Sequence, residues 1–315
     1  MPLDQRIVQR LKLRELRIFI AVARCGSMGK AAGQLAVSQP AISKAIAELE
    51  HTLGVQLLDR SMQGVEPTIY GKALLKWAPA VFDDLRQAAR ELQHLADPTA
   101  GEVRIGSTEP MSAGLVPAVI NRLSRRYGRV SFSVIQAPTI MSQYQDLRGR
   151  SVDLILGRMM PSETAPDLNA EILFNDPLFV VAGTKHKWAR RRVIDPHELI
   201  DQAWSLPPYE TSYAGEVIAQ AFRGVGLKPP DQTVSSNSIQ LFNALLATGR
   251  FLSVLSGSTL RLGGTRMGLK ALPVNFPIRS GPVGIVTLKG RLLSPIVQLF
   301  AECAREVARP LAGLK

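Results

Sequence analysis

The chain has 315 residues, 46% of them hydrophobic and 20% charged, with a formal net charge of +12. That length exceeds one ordinary core and allows two or three domains of roughly 100–200 residues. No apolar run approaches the roughly 18 residues of a membrane span, and Cys25 and Cys303, without CxxC or CxxH companions, give neither a disulfide framework nor a zinc site.

The opening Met1-Pro2-Leu3-Asp4-Gln5-Arg6 lacks the apolar core of a secretory signal, so a cytoplasmic protein with no membrane partner is expected. The positive charge suits a polyanion such as DNA, because Lys and Arg displace its condensed counterions. It is not concentrated, however: residues 1–76 hold 11 basic against 6 acidic residues, and the remainder 27 against 20. A DNA argument must therefore rest on motif geometry. His51, His94, His186 and His197 are scattered without metal-ligand spacing, so no metal is expected.

Leu16, Phe19, Ile20 and Ala23 recur at i, i+3, i+4, i+7 and mark a first helix over 13–23. Gly26 ends it and Ser27 caps a short second helix with Ala31, Ala32 and Leu35 inward. After the turn 36–38 a third helix begins with Ser38 as its cap and Pro40 in its first turn, where the missing N–H costs nothing. Ile42, Ala45, Ile46, Leu49 and Leu53 form its buried face, and Ala32 is small enough for the two helices to cross closely. Gln39, Ser43, Lys44 and Ala47 are left outward near its N-terminal half, where a recognition helix meets base edges. Gln39 could bond adenine N6 and N7, and Lys44 a guanine or a phosphate. Residues 55–60 and 65–68, joined by the turn 61–64, read as a wing with Arg60 placed to reach phosphates or a narrow minor groove.

The run Leu16-Arg17-Ile18-Phe19-Ile20-Ala21-Val22-Ala23, the Gly26-Ser27 step, Lys30-Ala31-Ala32, Val37-Ser38-Gln39-Pro40-Ala41-Ile42-Ser43, Leu57-Leu58-Asp59-Arg60 and Thr68-Ile69-Tyr70-Gly71 closely resembles the LysR-type transcriptional regulators. The resemblance covers nearly the whole chain, by motif at the N-terminus and by layout beyond it. It implies a homodimer or homotetramer on double-stranded DNA, a small-molecule co-inducer, and RNA polymerase as a further partner. The expected fold is an N-terminal all-α winged helix-turn-helix plus a long linker helix, followed by a C-terminal α/β two-lobed effector domain like the periplasmic binding proteins. DNA contacts are expected from Ser27, Gln34, Ser38, Gln39, Pro40, Ser43, Lys44, Arg60 and Thr68. Met28-Gly29 departs from the Phe/Leu-Thr that the family often carries, at roughly 1 kcal/mol for a helical glycine relative to alanine.

Within 70–96, Leu75, Ala78, Phe82, Leu85, Ala89, Leu92 and Ala96 alternate at spacings of three and four, a heptad seam that predicts a coiled coil between two chains. Pairing would set two recognition helices about 34–36 Å apart and make the target an inverted repeat. Pro79 interrupts the hydrogen-bond ladder at Leu75 and predicts a kink. Asp97-Pro98-Thr99-Ala100-Gly101 ends the helix and marks a hinge over 97–101, so that 11–69 is the DNA-binding domain and 70–96 the linker.

Strand-like and helix-like stretches then alternate through 102–309, which reads as βαβ units with a mostly parallel sheet. Lobe I is expected over 102–178 and 283–309, and lobe II over 179–282. Ligands of open α/β sheets bind beyond the carboxyl ends of strands. Ser107 and Thr108 after one strand and Asn237 and Ser238 after another are therefore the leading effector-site candidates, facing across a cleft and suited to a carboxylate. Thr139 and Arg158 are further candidates. The stretch Leu154-Ile155-Leu156-Gly157-Arg158-Met159 looks similar to LysR-type members that control aromatic-acid or sugar catabolism, so an organic acid neutralised by Arg158 is the preferred effector, with a sugar as the alternative. No GxGxxG, P-loop, GxSxG or HExxH motif is present and no cofactor or catalytic residue is assigned.

Overall fold

A computed structural model describes residues 7, 9–61, 64–159, 165–264, 267–274 and 281–313; Met62 and Gln63 of the expected wing turn lie outside them. Contacts divide the chain into two units, 1–86 and 87–315.

The first unit holds three short helices, α1 (Leu13–Cys25), α2 (Met28–Leu35) and α3 (Gln39–Leu53), and the hairpin of β1 (Leu58–Ser61) and β2 (Gly64–Pro67). Gly26 and Gly54 end α1 and α3 at φ 61° and 72°, the left-handed conformation that glycine takes without penalty. Ala36 takes the same conformation after α2, at φ 53°. Phe19, Val22, Ala31, Ile42, Ile46 and Leu49 are fully buried where the three helices meet. Each large apolar side chain so removed from water contributes roughly 1.5–3 kcal/mol.

The long helix α4 (Ile69–Ala96) runs unbroken through Pro79. Its expected seam is divided. Ala78 is buried, and Leu75 and Phe82 half-buried, against the unit's own helix-turn-helix core. The exposed large apolar residues are instead Ile69, Tyr70, Trp77, Val81, Leu85, Leu92 and Leu95. Of the seven expected seam positions, Leu85, Ala89, Leu92 and Ala96 are exposed, and Leu75, Ala78 and Phe82 are taken up by the chain's own core.

The second unit contains two five-stranded sheets. Strands β3 (Ala100–Ser107), β4 (Arg129–Gln136), β5 (Leu154–Arg158), β6 (Leu168–Asp176) and β12 (Gly281–Leu288) form one, in the order β4-β3-β5-β12-β6. Strands β7 (Leu178–Gly183), β8 (Ala203–Leu206), β9 (Gln232–Ser235), β10 (Phe251–Ser256) and β11 (Leu269–Ala271) form the other, in the order β11-β7-β10-β8-β9. The sheets are mixed, which corrects the mostly parallel expectation: β12 runs antiparallel to β5 and β6, and β7 antiparallel to β10 and β11. Strand β6 was not foreseen, because the unbroken exposed run from Asn169 to Ile172 hides any alternation. Strand β3 begins at Ala100, so the segment between helix and strand shrinks to 97–99.

Helices α5 (Glu109–Ala113), α6 (Leu115–Arg126), α7 (Ile140–Arg148) and α10 (Pro295–Ala308) accompany the first sheet, and α8 (Tyr213–Gly224) and α9 (Ile239–Ala247) the second. Phe300 of α10 is fully buried with Val103, Ile105, Val119, Leu123 and Leu154, which returns the chain's last long helix to the first lobe. In the second lobe Trp204 is fully buried, donates Nε1–H to the Leu199 carbonyl at 2.8 Å and meets Phe222 edge-on at 5.7 Å.

Candidate DNA-reading and effector sites

The N-terminus of α3 is built by Ser38, whose hydroxyl accepts the Ala41 N–H at 3.4 Å, with Pro40 in the first turn. Gln39, Pro40 and Lys44 are exposed on it. Ser43 is partly turned away, with Oγ 3.3 Å from Met28 Sδ on α2. Ser27 caps α2 through the Lys30 N–H at 3.5 Å, and exposed Gln34 accepts from Cys25 Sγ at 3.0 Å. Arg60 projects exposed from β1. Thr68 is spent on structure: its hydroxyl donates to the Gln56 carbonyl at 2.8 Å and accepts the Gly71 N–H at 3.1 Å, capping α4. Its expected role as a DNA contact is therefore the weakest of the set.

Glu50, not singled out as a site residue, ties the reader to its wing. Its Oε1 accepts the N–H groups of Leu57 at 2.7 Å and Leu58 at 3.2 Å. A carboxylate on α3 thus fixes where β1 starts and where Arg60 emerges.

In the second unit a cleft of about 620 Å³ opens between the two sheets. Four of the six expected residues line it from strand ends: Thr108 after β3, Thr139 after β4, Arg158 at the end of β5 and Asn237 after β9. The other two candidates lie elsewhere. Ser107 is fully buried and donates to the Leu156 carbonyl at 3.0 Å, so it serves the sheet, not the cleft. Ser238 caps α9 through the Leu241 N–H at 3.3 Å and does not line the cleft.

Two carboxylates that the sequence reading passed over change the electrostatics. Glu109 of the first lobe accepts the Ile239 N–H, at the start of α9 in the second lobe, at 2.8 Å. Asp176 is fully buried, accepts the Ser258 N–H at 2.9 Å and hydroxyl at 2.6 Å, and stands 3.8 Å from Arg158 Nη2. Burial pulls the Arg158 guanidinium below its ordinary value, and the charge of Asp176 opposes that. Gly281 leaves the room this arginine needs, since a Cβ there would lie 2.4 Å from Nη1. Arg158 thus lines the cleft with a carboxylate already beside it, and its Nη1 and Nη2 donate to the Asp176 carbonyl at 3.4 Å.

Residues 13–72 match the family profile described as bacterial regulatory helix-turn-helix protein, lysR family, and residues 96–309 match the LysR substrate binding domain. The chain belongs to the LysR family of transcriptional regulators.

Among relatives of this LysR regulator, GbpR of Azospirillum brasilense is 29% identical over 93% of this chain and 86% of its own length. PcaQ of Agrobacterium fabrum is 29% identical over 96% of this chain and 97% of its own. The fold is shared with the solved structures of CbnR (22% identity, TM-score 0.62, covering 95% of this chain and 100% of that one) and of a full-length OxyR variant from Pseudomonas aeruginosa (23%, TM-score 0.63, 95% of each). The regulator is a DNA-binding transcription factor with an effector-binding domain and not an enzyme. No described helix is long and apolar enough to cross a membrane, and no group of three potential metal ligands occurs among the described residues.

Sequence reasoning found the LysR reader because its signals are local caps and helical periodicity. It missed Glu109 and Asp176 because their partners lie 130 and 82 positions away. An acidic residue just past a capped strand end was the one available hint, in Thr108-Glu109.

Proposed function

We propose that this regulator binds an inverted-repeat promoter site as a homodimer or homotetramer, and that a small organic effector, an acid or a sugar, bound between the lobes changes its grip on DNA. The observation that carries the reading is the cleft: Thr108, Thr139 and Arg158 of one lobe and Asn237 and Tyr213 of the other line a single space of about 620 Å³, the size of a small-molecule site. A ligand that touches both lobes binds their closed arrangement better than their open one, and that difference is what shifts the population.

DNA is read by Gln39 and Lys44 at base edges, with Ser27, Gln34, Ser38, Pro40 and Ser43 positioning the helix and Arg60 on phosphate or in the minor groove. The exposed Leu85, Leu92 and Leu95 support pairing of two linker helices, which would set the readers one helical turn of DNA apart. The protein acts in the cytoplasm and engages RNA polymerase at the promoter.

Footprinting on the intergenic DNA beside its own gene tests this, with pathway metabolites added one at a time. The expected result is protection of an inverted repeat that one metabolite alters. No protection, or protection that no metabolite in the set changes, would count against it.

A further inference from the structure

Several groups at the cleft that could receive an anion already have partners within this chain. The N-terminus of α9 has its Ile239 N–H on the Glu109 carboxylate. That of α8 is capped by Ser212 and carries Glu216 in its first turn, and that of α7 is closed by the reciprocal Thr139 and Ser142 cap. Acidic groups there answer the positive end of a helix dipole as a ligand's carboxylate would. Arg158, the one cationic side chain of the lining among the described residues, faces Asp176.

What then remains is a surplus of negative charge. Among the described residues the lining contributes Glu109, Glu210 and Glu216 against Arg158, with Asp176 buried behind it. A carboxylate entering this space would approach these like charges, of which Glu210 and Glu216 are exposed and Glu109 half-buried, so that the repulsion from Glu109 is screened least. The groups left for a ligand are amides and hydroxyls, chiefly Gln136, Asn237, Thr211 and Tyr213, beside the apolar Met111 and Phe242. Amides and carboxylates accept from, and amides donate to, neighbouring hydroxyl groups, while a C–H face packs on apolar side chains.

We infer that the cleft of this regulator takes an uncharged, polyhydroxylated molecule such as an aldose or alditol, and that Glu109 is the residue that excludes carboxylates. The inference rests on the proposal that the cleft is the effector site. Glu109 acts in two ways: it holds the two lobes together at Ile239, and it occupies with a protein carboxylate the position a ligand carboxylate would seek.

The test is calorimetric titration of the full-length protein at one ionic strength. The probes are D-galactose, D-glucose, L-arabinose, D-xylose, their alditols and their aldonates, together with benzoate and putrescine. At least one aldose or alditol binds, tenfold or more tighter than the matching aldonate and tighter than benzoate or putrescine. In Glu109→Gln the amide oxygen still accepts the Ile239 N–H but the charge is gone, and the gap between aldose and aldonate narrows at least fivefold. Glu216→Gln, at an exposed position, narrows it in the same direction. The inference is overturned if the tightest ligand is a carboxylate or the amine, if no neutral probe binds, or if the gap is unchanged in every variant that folds. A carboxylate that binds and alters the footprint sinks the ligand class and leaves the effector reading standing; a sugar that binds without altering the footprint does the reverse.

Discussion

Asp153 and Arg291 form an ion pair at 2.8 Å in which neither side chain reaches solvent. The same carboxylate accepts the Arg104 backbone N–H at 3.0 Å, Arg104 Nη2 at 2.6 Å and Arg90 Nη1 at 3.2 Å, and Arg291 also donates to the Val152 carbonyl at 2.6 Å. Arg90 lies on the last turns of α4, so this buried cluster anchors the linker's end to the first strand of the effector domain. Removing Arg291 takes a buried donor from both Asp153 and the Val152 carbonyl, at a cost of about 1–3 kcal/mol, although Arg104 and Arg90 still face the carboxylate. Arg291→Ala should therefore lower the urea midpoint sharply at neutral pH, whereas Arg305→Ala, at an exposed pair with Glu171, should cost under about 1 kcal/mol.

The same cluster sets an acid limit. Burial pushes the Asp153 carboxyl up, but the hydrogen bonds from Arg104 and the charges of Arg104 and Arg90 reverse this and hold it below the ordinary 3.8. A carboxyl depressed in the folded state contributes stability that is complete above its unfolded value, about 3.9, and is lost as pH falls through the folded one. Unfolding monitored by circular dichroism should thus stay flat from pH 7 to about 5 on this account and steepen below about 4. A loss centred near pH 6 would assign acid sensitivity to other groups.

Two glycines of the first unit should respond oppositely to alanine. At Gly71 an added Cβ would lie 2.1 Å from the Leu57 carbonyl oxygen, a backbone atom that cannot swing aside. Gly71→Ala should destabilise by about 1–3 kcal/mol. At Gly29 the nearest atom would be Gln39 Oε1 at 3.7 Å, ordinary contact. Gly29→Ala should stabilise by about 0.5–1 kcal/mol through helix propensity. Thermal unfolding of the two variants gives the sign directly.

The reader and the wing should fail in different ways. Gln39→Ala should cost about 1–3 kcal/mol on the specific site and much less on random DNA. Arg60→Ala should weaken both alike and reduce the salt slope of binding by about one. Titrations on specific and scrambled duplexes at several salt concentrations separate these outcomes.

Leu85 is 46% exposed on α4, so a charge there should leave the fold of the single chain intact. Leu85→Asp should shift the sedimentation profile to monomer and weaken tight DNA binding, with an unchanged melting profile of the monomeric fold at high dilution. A dimer that survives the substitution would show that the linker face is not the pairing surface.

Much of the N-terminal unit was legible before any coordinates. Capping by Ser27 and Ser38, termination at Gly26, and the buried stripe of Ile42, Ile46, Leu49 and Leu53 are decided within a few residues of chain, where propensity and periodicity act. The heptad pattern of 70–96 was legible as a helix but not as an interface. Apolar residues spaced by three and four look the same whether they meet their own domain, as Ala78 does, or stay exposed, as Leu92 does.

The cleft of the second unit divides in the same way. Of the residues expected there from the alternation of strands and helices, Thr108, Thr139, Arg158 and Asn237 line it and Ser107 and Ser238 do not. Its charge did not follow. Which group Arg158 faces, and what sits on the first N–H of α9, depend on Asp176 and Glu109 arriving from distant parts of the chain. Hydrogen bonds and ion pairs act over a few ångströms in space, and only the folded chain brings those partners within reach.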